Sequence, residues 1–388
     1  MSWRARALML LLIFAAGCSE SPAAAPTTDA ALVDTPAVTD SGGGIVVPAD
    51  VPPVGDPLTW DVLRAGPFRV GYRVLSQTYT PRGSTSPRTI PVHVWYPTHA
   101  TDGPHPRYFR LVMDNASVVE APLAPSAHAQ GYPVHVYSHG DRGFGATSHF
   151  LSRHFASHGW VVVAPDHVGN TLSDTPDPRP LPIHHLRSQD VKAALDLMGA
   201  LPVGDPLAGR CNTQRVLLSG HSFGTHTVWT SAGATFDIDA IRPRCTAEVR
   251  CTEADLTVFR EGLRDGRIVA AIPMAGSIQR TFFGTDGHRA VSIPLLAMSG
   301  TDDPVGADAQ FMTTEPVPLT WIDVRGGCHQ FFALGNCAMV GDEFQVPIVG
   351  GWSLAFGRRH VLRDEGSAVV GVLDGTMPVS DRVSIHRR

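Results

Sequence analysis

From about residue 57, short uninterrupted apolar runs alternate with stretches in which apolar positions recur every three or four residues. The runs are PVHVYSHG (133–140), WVVVAPD (160–166), RVLLSGH (215–221), IVAAIPMAG (268–276), PLLAMSG (294–300) and LTWIDVRGG (319–327). Runs this short, rich in Val, Ile and Leu, suit strands buried on both faces of a parallel sheet. Between them ATSHFLSRHFASHG, HHLRSQDVKAALDLMGAL and FGTHTVWTSAG predict helices, and GWSLAFGRRHVL predicts another near the end. Upstream, PFRVGYRVLSQTY and TIPVHVWYP are β-branched and aromatic, and the turn-rich PRGSTSPR joins them into an antiparallel hairpin. The order predicts an α/β fold: a mostly parallel central sheet, a leading antiparallel hairpin, and helices on both faces. Residues 56–388 form this domain, and 235–266 reads as an insertion that could cap a site.

The first residues follow another pattern. Arg4 and Arg6 precede the apolar ALMLLLIFAA (7–16), too short for the about 20 residues that span a bilayer. This reads as an export signal over 1–17, and the AAGC ending at Cys18 resembles the bacterial lipoprotein box. That resemblance implies cleavage before Cys18, lipidation of its thiol and attachment to the cell envelope outward of the cytoplasmic membrane. An ordinary cleaved signal, and a secreted protein, is the alternative. Residues 18–55, dominated by Pro, Ala, Thr and Gly without hydrophobic period, read as the lipidated Cys and a disordered tether.

Charge narrows the function classes. Thirty-one Lys and Arg against 36 Asp and Glu give a formal net charge of -5, with no basic run, which argues against nucleic-acid binding. Export places Cys211, Cys245, Cys251, Cys328 and Cys337 in an oxidising compartment. Nearest neighbours suggest Cys245–Cys251 and Cys328–Cys337, leaving Cys211 as a free, buried thiol. Connectivity does not follow from sequence.

Chemistry in open α/β sheets gathers at the carboxyl ends of the strands, so the residue after each run carries weight. RVLLSG leads to Ser222, set between Gly220 and Gly224, as a sharp strand-to-helix corner requires. A tight turn with Ser222 as helix cap would leave the same pattern. PLLAMSG leads to TDDPV, where the Gly-x-x-Asp spacing favours Asp303 and leaves Asp302 as a turn cap. LTWIDVRG leads to His329. Nucleophile, acid and base in the order Ser, Asp, His, each past a strand, make a triad of Ser222, Asp303 and His329. The Gly-rich DRGFG that follows PVHVYSHG supplies one oxyanion donor, the Asp141 N–H, and the N–H of Phe223 supplies the other. His139 shapes that loop, while His149, His154, His184 and His185 read as helix-surface residues. Apolar pocket walls are expected from Phe144, Met274, Ile278, Phe282 and Phe331. No metal or organic cofactor is called for.

YSHGDRGFGATSHFLSRHFASHGWVVVAPDH, GHSFG, SGTDDPV and GCHQFF resemble the α/β-hydrolase branch of platelet-activating-factor acetylhydrolases, dienelactone-hydrolase-like proteins and cutinase-like polyester hydrolases. The resemblance covers about residues 68 to 362. It implies an α/β-hydrolase fold and serine catalysis on a carboxylic ester, small-molecule, lipid or polyester. Three departures stand out. Asp141 replaces an apolar residue. The acid follows PLLAMSG, as in the dienelactone and cutinase-like members, whereas the acetylhydrolases place it one strand earlier. The nucleophile is serine, where true dienelactone hydrolases use cysteine. A thioesterase or peptidase with the same triad is an alternative, as is a catalytically silent envelope-binding lipoprotein.

Overall fold

The computed structural model describes residues 44–51 and 54–388, so the export signal, Cys18 and most of the expected tether lie outside the described residues. The strands are β1 (Arg69–Tyr79), β2 (Arg88–Thr98), β3 (Arg107–Tyr108), β4 (Val112–Met113), β5 (Ser117–Val119), β6 (Tyr132–Ser138) and β7 (Val161–Pro165). They continue with β8 (Cys211–His221), β9 (Ile268–Met274), β10 (Leu295–Gly300), β11 (Leu319–Val324) and β12 (Val383–Arg387). Ten of them form one mixed sheet in the order β12-β11-β10-β9-β8-β6-β7-β2-β1-β5, and β3 and β4 pair separately. The middle, from β7 through β6, β8, β9 and β10 to β11, is parallel, while β1, β2 and β7 pair antiparallel at the start.

The apolar runs became strands because they could be covered twice. Every residue of β6, β7 and β10 is buried. Along β7, Val161 and Val163 belong to one hydrophobic cluster while Val162 and Ala164 belong to the other, the alternation that a pleated strand imposes. Helices α1 (His149–Ser157), α5 (Gly351–Gly357) and α6 (Ser367–Asp374) fill the first cluster through Phe155, Trp352 and Val372. Helices α2 (Ile183–Gly199), α3 (Phe223–Ala232) and α4 (Glu253–Glu261) fill the second through Leu195, Trp229 and Phe259. The chain is therefore α/β, with helices on both sides of a large mixed sheet.

Several expectations change. β12 adds an antiparallel edge beside β11, and β5 runs parallel to β1; both are too short or too polar to stand out in the sequence. The end of the expected tether is not free: the Val46 N–H donates to the Asp102 carbonyl at 3.0 Å, and the Thr101 N–H to Val46 at 2.8 Å. The four histidines expected on helix surfaces point inward, since an imidazole with one partner and an aromatic neighbour suits a core site. His154 Nε2 bonds the Val62 carbonyl at 2.9 Å, His184 stacks on Phe282 with centroids 3.9 Å apart, His185 bonds Asp255, and half-buried His149 packs on Tyr108.

The 235–266 segment holds α4, started by a capping box between Thr252 and Asp255, and a Cys245–Cys251 disulfide. Phe259 meets His185 of α2, Glu261 pairs with Arg82 of the β1–β2 turn, and the Leu181 N–H bonds Val249. None of its hydrogen bonds, ion pairs or ring contacts reaches Ser222, Asp303 or His329. The segment also packs on α3 and on residues 280–283, with Phe236 against His226 and Arg244 over the Phe282 ring.

Candidate active site

β8 ends in a bend that its two glycines permit. A Cβ on Gly220 would collide with the Gly224 carbonyl, and one on Gly224 with the Ser138 carbonyl, so the strand, the helix and the β6 end meet without side chains between them. Ser222 sits at φ 56°, ψ -115°, a left-handed conformation rare for a residue with a Cβ and costing about 1–3 kcal/mol. Its neighbours hold it there: the Ser222 N–H donates to the Met274 carbonyl at 2.9 Å, and the Thr225 N–H to the Ser222 carbonyl at 2.9 Å. Ser222 is half-exposed, while the helix that follows it is buried throughout.

Asp303 and His329 come together from the ends of β10 and β11. His329 Nδ1 lies 3.0 Å from Asp303 Oδ2 and 3.2 Å from Oδ1, with the carboxylate side chain 1% exposed and the imidazole 26% exposed. Gly300 and Gly327 let the two loops touch, and the Asp302 N–H donates to the Gly327 carbonyl at 2.9 Å. The Asp302 side chain is exposed and accepts only from the Thr301 hydroxyl at 3.0 Å, so of the two carboxylates it is Asp303 that meets the imidazole. The Cys328–Cys337 disulfide closes the loop carrying His329, and buried Phe331 and Phe332 anchor it.

His221, a residue the motif reading passed over, links the His329 loop to the Ser222 corner. Its Nε2–H donates to the His329 carbonyl at 2.9 Å, and the two rings sit with centroids 4.7 Å apart. Burial pulls its pKa down to about 3, so it is neutral and has a proton on Nε2 to give. Ser222 is next along the chain from His221; its hydroxyl makes no hydrogen bond with His329.

The other side of the nucleophile is the loop after β6. A Cβ built on Gly140 would stand 3.1 Å from Ser222 Cβ, so this backbone passes directly beside the serine. Neither expected oxyanion donor, the N–H of Asp141 or of Phe223, has an acceptor within the described chain. His139 holds the loop's shape. It accepts the His167 N–H on Nε2 at 3.0 Å and therefore donates from Nδ1 to the Gly140 carbonyl at 2.7 Å. The Asp141 carboxylate turns aside, to Asn170 at 2.6 Å and Arg179 at 2.5 Å.

Beneath the loop runs a buried polar chain that sequence reasoning missed. Asp190 accepts from Tyr79 at 2.7 Å, from Arg88 at 2.7 and 2.9 Å and from His167 at 3.0 Å. Burial would raise Asp190, but Arg88 and His167 outweigh it and hold it at about 2. His167 Nε2 in turn meets Ser138 Oγ at 2.9 Å. Arg187 completes the chain. The one signal was its place in the apolar stripe of α2, where residues 187, 191, 194 and 198 share a face and a guanidinium must find partners.

The five expected pocket walls are core side chains. Phe144, Met274 and Phe331 belong to one cluster and Ile278 and Phe282 to the other, all 5% exposed or less. Two grooves of about 520 and 460 Å³ lie elsewhere, the first beside Arg82, Arg88 and Arg250, the second beside Tyr132 and Cys211. Both disulfides pair nearest neighbours, and the half-buried Cys211 thiol is pushed up to about 12 by burial. No protein-family model matches the chain, and no curated protein matches its sequence.

Proposed function

We propose that the chain is a serine hydrolase of the α/β-hydrolase fold that cleaves carboxylic esters by acyl transfer. The observation that carries the reading is the Asp303–His329 pair, closed at the ends of two adjacent strands and joined through His221 to a serine in a strained corner. His329 takes the proton of the Ser222 hydroxyl as the oxygen attacks the ester carbonyl; hydrogen bonds of this kind are often long before substrate arrives. Asp303 keeps the proton on Nδ1 and steadies the imidazolium. The Asp141 and Phe223 N–H groups receive the oxyanion, each such donor supplying roughly 3 kcal/mol in comparable sites. His329 then protonates the departing alcohol, and water activated by the same imidazole releases the acyl group.

The test uses the full-length chain in detergent, on p-nitrophenyl acetate, butyrate and decanoate, with a fluorophosphonate label read by intact mass. One adduct on the parent, none on Ser222→Ala, and a matching loss of turnover support the reading; the chain-length profile then reports the acyl pocket. A folded parent that takes no label and turns over no ester defeats it. We propose separately, from the AAGC sequence alone, that a lipid on Cys18 attaches the protein to the cell envelope, with secretion as the alternative. Mass spectrometry of the N-terminal peptide would show the acyl mass, or a plain cleaved end.

A further inference from the structure

Arg187 is fully buried and bonds only neutral groups. Its Nη2 donates to the His139 carbonyl and to Ser138 Oγ at 3.2 Å, its Nη1 to Asn170 Oδ1 at 2.6 Å, and its Nε to Thr227 Oγ1 at 3.1 Å. Its Cζ lies 4.6 Å from the centre of the Phe223 ring. The carboxylates that could neutralise it are engaged elsewhere, Asp190 by Arg88, His167 and Tyr79, and Asp141 by Arg179 and Asn170. A buried cation without a counter-ion is costly to keep. Here every partner belongs to a segment that builds the oxyanion hole: Ser138 and His139 lead into Asp141, Asn170 braces the Asp141 carboxylate, and Thr227 and Phe223 lie on α3.

We propose that Arg187 is the positioning residue of the oxyanion hole. Its planar fork ties the His139 carbonyl to α3 and the Phe223 ring, and so sets the Asp141 and Phe223 N–H groups at the spacing an oxyanion needs. Its charge stands behind both donors, in surroundings too dry to screen it, where it favours negative charge developing on the substrate. The geometry asks for arginine in particular: a lysine keeps the charge but cannot hold four acceptors in one plane.

This inference rests on the serine-hydrolase reading, and its test separates the two. In the full-length chain, Arg187→Met is expected to lower kcat about 100-fold and Arg187→Lys about 10-fold, with KM within about twofold of the parent. Phenylboronic acid, which binds Ser222 as a charged tetrahedral adduct, should lose affinity in proportion to kcat/KM. A role confined to packing would lower thermal stability without that proportionality. Folded variants with parental kcat, or with reduced kcat and unchanged boronate affinity, overturn the proposal. If Arg187→Met does not fold, Arg187→Lys decides by the same two criteria. A parent that neither turns over ester nor takes the fluorophosphonate defeats the hydrolase reading itself, whereas an active parent indifferent to Arg187 defeats only this inference.

Discussion

The two sides of Ser222 are built differently. The proton-handling side uses three short loops, each a few residues past a strand, with Asp303 and His329 bonded to each other and His221 tying them to the serine. The oxyanion side has no such short assembly. On the proposed reading its donors are backbone N–H groups, braced by a buried chain through Ser138, His139, His167, Asn170, Arg187 and Asp190, drawn from three separate stretches of sequence. Side chains that move protons must be particular residues at particular corners. A hole made of backbone needs only a fixed backbone, and what fixes it can come from anywhere in the fold. Each group on the proton side can therefore be read at its own strand end, whereas what braces the oxyanion side shows only in the tertiary structure.

The largest effect that would sharpen this comparison is on the acid. Asp303→Asn is expected to cost about 10⁴ in kcat, measured on p-nitrophenyl butyrate, because the imidazole loses the partner that selects its tautomer. Asp302→Asn, one residue away and exposed, should change kcat less than about twofold. Equal losses from the two would break the assignment of the acid.

Acid stability comes next, and it bears on both sides together. His221 on the proton side is held at about 3, and on the oxyanion side burial lowers His167 to about 4 and His139 well below 6.5. In each case the folded value lies below the unfolded one, so the unfolded chain binds more protons between the two. Stability is then full above pH 6.5 and falls as pH drops toward 4, by up to about 1.4 kcal/mol per pH unit for each histidine that titrates only on unfolding. Urea unfolding at pH 7.5, 6.5 and 5.5 should show this loss; a flat profile would mean that the imidazoles are not held neutral in the fold.

The two disulfides make a third contrast, since both close short loops. Removing either by a Cys→Ser pair should cost about 2–3 kcal/mol in denaturant melts. Only loss of Cys328–Cys337, next to His329, should also lower kcat; loss of Cys245–Cys251 should leave it. A fall in kcat from the latter pair would restore a direct role over the site to the 235–266 segment. A more modest effect is expected from His221→Phe, which removes the bond to the His329 carbonyl and keeps a ring: about a tenfold fall in kcat and about 1 kcal/mol in stability. An unchanged kcat would show that the disulfide and the Phe331–Phe332 anchor hold His329 without it.

The same contrast separates what could be read along the chain from what could not. The central strands and main helices were legible because burial on both faces leaves unbroken apolar runs, and one stripe leaves a period near four. The edge strands β5 and β12 were not, because a few residues paired on one side carry too little pattern. Ser222, Asp303 and His329 could be singled out because each follows closely on a strand end, by one, three and five residues. Asp302 and Asp303 could be ordered by spacing alone. Arg187 drew no notice in the sequence: its place in the apolar stripe of α2 was the one hint, and its partners show only when the helix is laid on the sheet. Met274 and Phe282, apolar and near the corners, looked like pocket walls; their burial in separate clusters depended on which way each strand and turn faced.

By itself, then, the sequence determined the α/β class, the parallel centre of the sheet, the corner at Ser222 and the carboxyl-end positions of the acid and the imidazole. These follow from local periodicity and from glycines that admit close backbone approach. The tertiary structure alone decided that His139, His154, His184 and His185 are interior, that 235–266 braces α2, and that a guanidinium from α2 sits under the oxyanion loop. Those outcomes depend on which surfaces meet when the helices dock. A buried polar side chain is settled by the partners it finds there, and these lie tens of residues away along the chain.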